Sequence, residues 1–158
     1  MIAMSIVLSI VESAVSVYFF TIPGMKLGLA NIASIVVVYT LDRKSGLIVA
    51  YFRIFLVGLV YSGLFSPSNM ISLAGGTLAI ITLILLCKTK LSIYTVSVLS
   101  ALMHMVGQII AAIFIVNTTT IVYYLPYLII ISVPAGLITG YLSKRIISSF
   151  KERILRFK

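Results

Sequence analysis

Three ionisable residues stand inside long apolar runs: Glu12, Arg53 and His104. A charge in hydrocarbon costs several kcal/mol, so each marks a candidate functional position. Glu12 and Arg53 fall near the middle of their runs. Facing one another they would form an intramembrane ion pair, either a purely structural neutralisation or the polar floor of a solute cavity. Such a pair adds little stability, because desolvation opposes the Coulombic gain. His104 and Gln108 are four residues apart and share a helix face. With Asn31 and Ser72 they would line one polar cavity, although a lone His in a bundle also serves as a structural donor. Lys26 follows Pro23-Gly24, where it is either a snorkelling interfacial lysine or an anion contact. Lys26, Asn31, Arg53, Ser72, His104 and Gln108 form the candidate substrate-binding set.

The missing chemistry narrows the function. One His and one Cys give no metal-ligand spacing, and Cys87, the single cysteine, excludes an intrachain disulfide. Asp42, Glu12 and Glu152 are the three acids. They are isolated from one another, so no acidic pair holds magnesium on a diphosphate. No Gly-rich Lys motif for nucleotide phosphates occurs, and no Ser/His/Asp set can be assembled. The expectation is a protein with no catalytic residues, no metal and no cofactor.

The elements that must position these residues are membrane helices. Hydrophobic residues make up 61% of the 158-residue chain and charged residues 9%, against about 25% charged in soluble domains. The apolar runs are unbroken rather than alternating, which excludes a transmembrane barrel. Six spans are expected, at about 2–20, 27–41, 46–64, 70–87, 91–116 and 121–142, the second being short for a span. The fifth is long enough to tilt or kink near Gly107, and the sixth would kink at Pro126 and Pro134. Thr21-Ile22-Pro23-Gly24, Ser66-Pro67-Ser68-Asn69 and Asn117-Thr118-Thr119-Thr120 read as turns, Asp42-Arg43-Lys44-Ser45 as a polar hairpin, and Lys88-Thr89-Lys90 ends the fourth span. The N-terminal segment lacks a basic region and a cleavage site, and reads as a retained span.

This count gathers the positive charge on one side. Arg43, Lys44, Lys88, Lys90, Lys144, Arg145, Lys151, Arg153, Arg156 and Lys158 share it, which predicts a cell-membrane protein with both termini cytoplasmic. Anionic lipid, rather than nucleic acid, explains the net charge of +9. Residues 1–143 would be the six-helix domain and 144–158 a basic amphipathic tail, with Ile146, Ile147, Phe150, Ile154 and Phe157 on one face. The tail is either an extension of the sixth span on the lipid surface or a docking site for a cytoplasmic partner. Gly75-Gly76 suits close helix packing, with a broken helix around a ligand as the other reading. Ser5, Ser9 and Ser13 form a small-residue stripe suited to a helix interface within the bundle or with a docking partner.

The run Pro23-Gly24-Met25-Lys26-Leu27-Gly28-Leu29-Ala30-Asn31 resembles the signature of the Gx transporter family, also described as heptaprenyl diphosphate synthase component I. Arg53, Ser72-Leu73-Ala74-Gly75-Gly76, His104-Met105-Val106-Gly107-Gln108 and Tyr124-Leu125-Pro126 extend the likeness from about Val11 to Tyr141. That family is similar to the S components of energy-coupling factor (ECF) transporters. The resemblance implies an all-α, six-helix membrane fold that binds a small vitamin-like or flavin-like solute. It also implies energy from a separate coupling subunit with its ATPases, and a docking role for the Ser5, Ser9 and Ser13 stripe. The other implied role is an accessory membrane subunit of isoprenoid diphosphate synthesis, whose catalytic acids would lie on a partner. A membrane scaffold without a ligand is the third reading of the residues themselves.

Overall fold

The computed structural model describes residues 2–19, 26 and 28–156. The expected turn at residues 21–24 and Phe157 lie outside the described residues. Six α-helices follow in order: α1 (Ile2–Phe19), α2 (Asn31–Thr40), α3 (Arg43–Val57), α4 (Pro67–Leu86), α5 (Ile93–Val116) and α6 (Leu125–Arg156). A π-helical turn, Gly58–Ser62, prolongs α3, and a 3₁₀ segment, Thr119–Tyr124, precedes α6. No strand occurs among the described residues. Among the described residues, four helical segments have the length and apolarity to cross a bilayer: Arg43–Ser62, Pro67–Leu86, Ile93–Val116 and Thr119–Phe150. The remaining apolar helices, α1 and α2, are shorter.

The helix boundaries follow from side-chain chemistry. Asp42 caps α3 by accepting the Ser45 N–H at 2.9 Å. Ser66 caps α4 through the Asn69 N–H, with Pro67 in the first turn, where its missing N–H costs nothing. Ser92 caps α5 through the Thr95 N–H. Asn117 ends α5 in the left-handed region at φ 55°, a conformation its short polar side chain tolerates.

One expectation, the kink at Pro126, needs correction here. Pro126 lies in the first turn of α6 and starts the helix rather than kinking it; Pro134 alone is interior. Gly107 does not break α5, which runs uninterrupted. It is instead a contact point: a Cβ there would lie 2.6 Å from the Ala74 carbonyl oxygen and 2.9 Å from Gly75 Cα. Helix α6 runs on past residue 143 to Arg156, so the basic segment extends the last helix.

Helix α2 is the centre of the bundle. Asn31 to Val38 are all buried, and α2 touches α1, α3, α4 and α6. A helix apolar on all sides belongs inside. Its 10 residues give about 15 Å, half of a bilayer's hydrocarbon thickness. Val36 and Ile32 pack on Ile147 of α6, while Ile35 and Val38 join Ile80, Leu83 and Val96. The outer surface is apolar: Phe65, Phe114, Val60 and Ile130 are exposed, as lipid-facing residues should be. Within this apolar setting hydroxyls bond to backbone or to each other. Thr40, Thr77 and Thr82 donate to carbonyls one turn back. Ser100 donates to the Ala79 carbonyl at 2.8 Å, tying α5 to α4, and Ser97 and Thr139 hydroxyls meet at 2.7 Å, tying α5 to α6.

Candidate functional site

The polar residues singled out from the sequence converge at the end of α2 that begins with Asn31. Glu12 comes from α1, Lys26 from the segment before α2, Asn31 from the first turn of α2, and Arg53 from α3. Ser72 comes from α4, and His104 and Gln108 from α5. All seven are buried.

Glu12 does not hydrogen-bond to Arg53. Its Oε1 accepts the Gly28 N–H and the Leu29 N–H, the latter at 3.1 Å, and its Oε2 accepts the Ala30 N–H at 3.3 Å. Three successive N–H groups reach one carboxylate because the chain turns at Gly28, whose φ of 87° suits only a residue without a side chain. These groups are the orphan donors ahead of α2, so Glu12 acts as a remote cap. Arg53 instead donates from Nη2 to Asn31 Oδ1 at 3.2 Å. The two charges influence each other through space. By their hydrogen bonds, Glu12 and Arg53 make two separate attachments at the start of α2, one from α1 and one from α3.

A second chain of hydrogen bonds fixes α5. The Lys26 backbone N–H donates to Gln108 Oε1 at 3.2 Å, which orients the Gln108 amide. Its Nε2 then donates to His104 Nε2, 3.1 Å away. A ring nitrogen that accepts is unprotonated, so the neutral imidazole carries its proton on Nδ1. That buried nitrogen has no geometrically sound partner, with the Gly75 carbonyl as its neighbour. Gly75 is required here: a Cβ would lie 2.7 Å from Gln108 Cγ and 2.9 Å from the His104 carbonyl oxygen. Gly75 thus serves close packing of α4 on α5 and Gly76 that of α4 on α3, and α4 is unbroken around them.

Lys26, Arg53, Ser72 and His104 border a small cavity together with Ser9 and Asn69. Its volume is about 20 Å³, room for about one water molecule. Sites that bury drug-sized ligands measure about 300–1,000 Å³, so a vitamin-sized solute requires the cluster to open. Arg53 Nη1 is buried without a hydrogen-bond partner. Asn69, from the expected turn at residues 66–69, donates to the Leu64 carbonyl at 2.8 Å and packs on Gly58 at the start of the π-helical turn. Its place three residues after Ser66 was the available signal.

The Ser5, Ser9 and Ser13 stripe is buried within the chain, at 0%, 6% and 8% exposure. Ser5 donates to the Ile2 carbonyl and Ser13 to the Ser9 carbonyl. These residues lie on the side of α1 that packs against the bundle.

No group of three or more His, Cys, Asp or Glu side chains could hold a metal among the described residues. The sequence model of the family described as heptaprenyl diphosphate synthase component I matches residues 1–146. No curated protein and no solved structure matches.

Proposed function

The chain belongs to the Gx transporter family, which carries the heptaprenyl diphosphate synthase component I description, and from that premise we propose that it is the solute-binding membrane subunit of an ECF-type transporter. The observation that supports this reading is the gathering of Lys26, Asn31, Arg53, Ser72, His104 and Gln108 from five parts of the chain into one buried polar cluster. Buried polar groups in an apolar bundle are costly, and packing alone would be served by aliphatic residues. Energy comes from a separate coupling subunit and its ATPases, because this chain holds no nucleotide motif. The partner drives transport only by binding the closed and opened forms unequally. Both termini lie in the cytoplasm, on the side where the bases gather. Reconstitution with the coupling subunit and ATPases in proteoliposomes tests this: ATP-dependent solute flux is expected, and neither association nor flux would refute it.

A second reading takes the family description at its word, as a membrane component that holds a prenyl chain for a partner transferase. It is favoured by an apolar groove of about 620 Å³ bordered by Leu73, Ala74, Leu78, Gly107, Ile110 and Phe114. Changed product length or activity of a prenyl transferase on addition of this chain is its signature; identical products remove it.

A further inference from the structure

The cluster holds more positive than negative charge, and one of its strongest donors has no acceptor. Glu12 from α1 is its single acid, against Lys26 before α2 and Arg53 from α3; His104 from α5 is the remaining titratable group facing it. Glu12 opposes an anion, but its two oxygens already accept the N–H groups of Gly28, Leu29 and Ala30. Arg53 is 5% exposed. Its Nη2 is used by Asn31, while Nη1 is buried and unpartnered and the side chain borders the cavity. Lys26, 8% exposed, borders the same cavity. An unmade hydrogen bond from a charged donor in a dry site carries the full desolvation cost of that donor. A water molecule would satisfy the N–H but leave the excess charge uncompensated. An anionic oxygen answers both at once, by a charge-assisted hydrogen bond.

We propose that this cavity is an anion subsite that receives a carboxylate of the solute, with Arg53 Nη1 as the hydrogen-bond donor and the Lys26 ammonium as the second charge. The inference rests on the reading of this cluster as the solute site and names the class of solute: a carboxylic acid rather than a neutral molecule. Size agrees with this assignment. About 20 Å³ admits one anionic oxygen, so the subsite holds the charged end of the ligand while the remainder lies beyond it. With Nη2 already engaged, the contact is one-pronged, which suits a small carboxylate better than a phosphate demanding several donors.

The test uses the full chain in nanodiscs and follows its thermal midpoint. Formate and acetate are compared with formamide and acetamide at fixed ionic strength, and inorganic phosphate forms a separate arm. The carboxylates should raise the midpoint in a concentration-dependent way, and their neutral amides should not. Lys26→Met should weaken the carboxylate effect about tenfold, the loss of one charge contact; Arg53→Gln should abolish it. Should Arg53→Gln fail to fold, the wild-type comparison of acid with amide decides the matter alone. Equal midpoints in acid and amide, as expected for a bridging water only, overturn the subsite. Phosphate acting where carboxylates do not overturns the carboxylate assignment. Carboxylate binding without flux in the reconstituted transporter leaves the subsite standing and removes the transport reading. Flux of a neutral solute without any carboxylate effect does the reverse.

Discussion

Gly107→Ala is the substitution whose effect can be worked most directly from the structure. The added methyl carbon would lie 2.6 Å from the Ala74 carbonyl oxygen and 2.9 Å from Gly75 Cα. An ordinary carbon–oxygen contact is about 3.3 Å or more, so α4 and α5 must separate locally by roughly 0.7 Å. A gap of that size forfeits about a quarter to a half of the dispersion energy of the contacts it opens. Overpacking of this kind costs about 1–3 kcal/mol. A cost of about 2 kcal/mol lowers the folded-to-unfolded ratio roughly 30-fold. Gly76→Ala is the matched control. Its methyl would meet Ile54 Cδ1 at 2.6 Å, the far end of a flexible side chain that can rotate away, so a cost under about 1 kcal/mol is expected. Equilibrium unfolding in mixed micelles, followed by far-ultraviolet circular dichroism, measures both. Gly107→Ala within about 0.5 kcal/mol of the wild type would refute the close backbone approach of α4 and α5; Gly76→Ala as costly as Gly107→Ala would refute the yielding contact with Ile54 of α3.

Further outcomes follow from the same contacts. Glu12→Gln leaves one acceptor oxygen for three backbone N–H groups, so a loss of about 1–3 kcal/mol is expected, together with faster amide exchange at residues 28–30; unchanged exchange there contradicts the capping role. Ser97→Ala strands the Thr139 hydroxyl only partly, since Thr139 also donates to the Gly136 carbonyl at 2.9 Å; a cost of about 0.5–1.5 kcal/mol is expected, and one well above that would mean the α5–α6 contact has been misread. Asp42 is held below the ordinary 3.8 by hydrogen bonds from Ser45 and by the charge of Lys44. A depressed carboxylate stabilises the folded form above its unfolded pKa, and that contribution fades as pH falls through the folded value. The stability gap between wild type and Asp42→Ala should hold constant from about pH 5 to 8 and shrink below about pH 4; a gap that widens on acidification contradicts the cap.

The membrane class was legible because scarcity of charge is a property of the whole chain, insensitive to any single boundary. The polar cluster was legible for a related reason: in apolar runs, Arg53 and His104 have nowhere to be except against other polar groups. What the sequence did not reveal was which partner each would choose. Glu12 and Arg53 look complementary as charges, yet backbone N–H groups released by the turn at Gly28 are nearer acceptor-seekers for Glu12. The serine stripe could not be assigned to inside or outside, because small residues suit every helix interface alike. The close contact of Gly107 with Ala74 carries no sequence signal, because it depends on which helix lies opposite. The π-helical turn at Gly58–Ser62 left no periodicity signal at all.

The central claim is that the buried cluster around Arg53 exists to hold a solute. Native mass spectrometry of the chain extracted from the membrane of its own cell, beside Arg53→Met prepared in the same way, tests it most directly. A small-molecule adduct carried by the wild type and missing from the folded Arg53→Met variant is the predicted result. An adduct on neither, or equally on both, would contradict it.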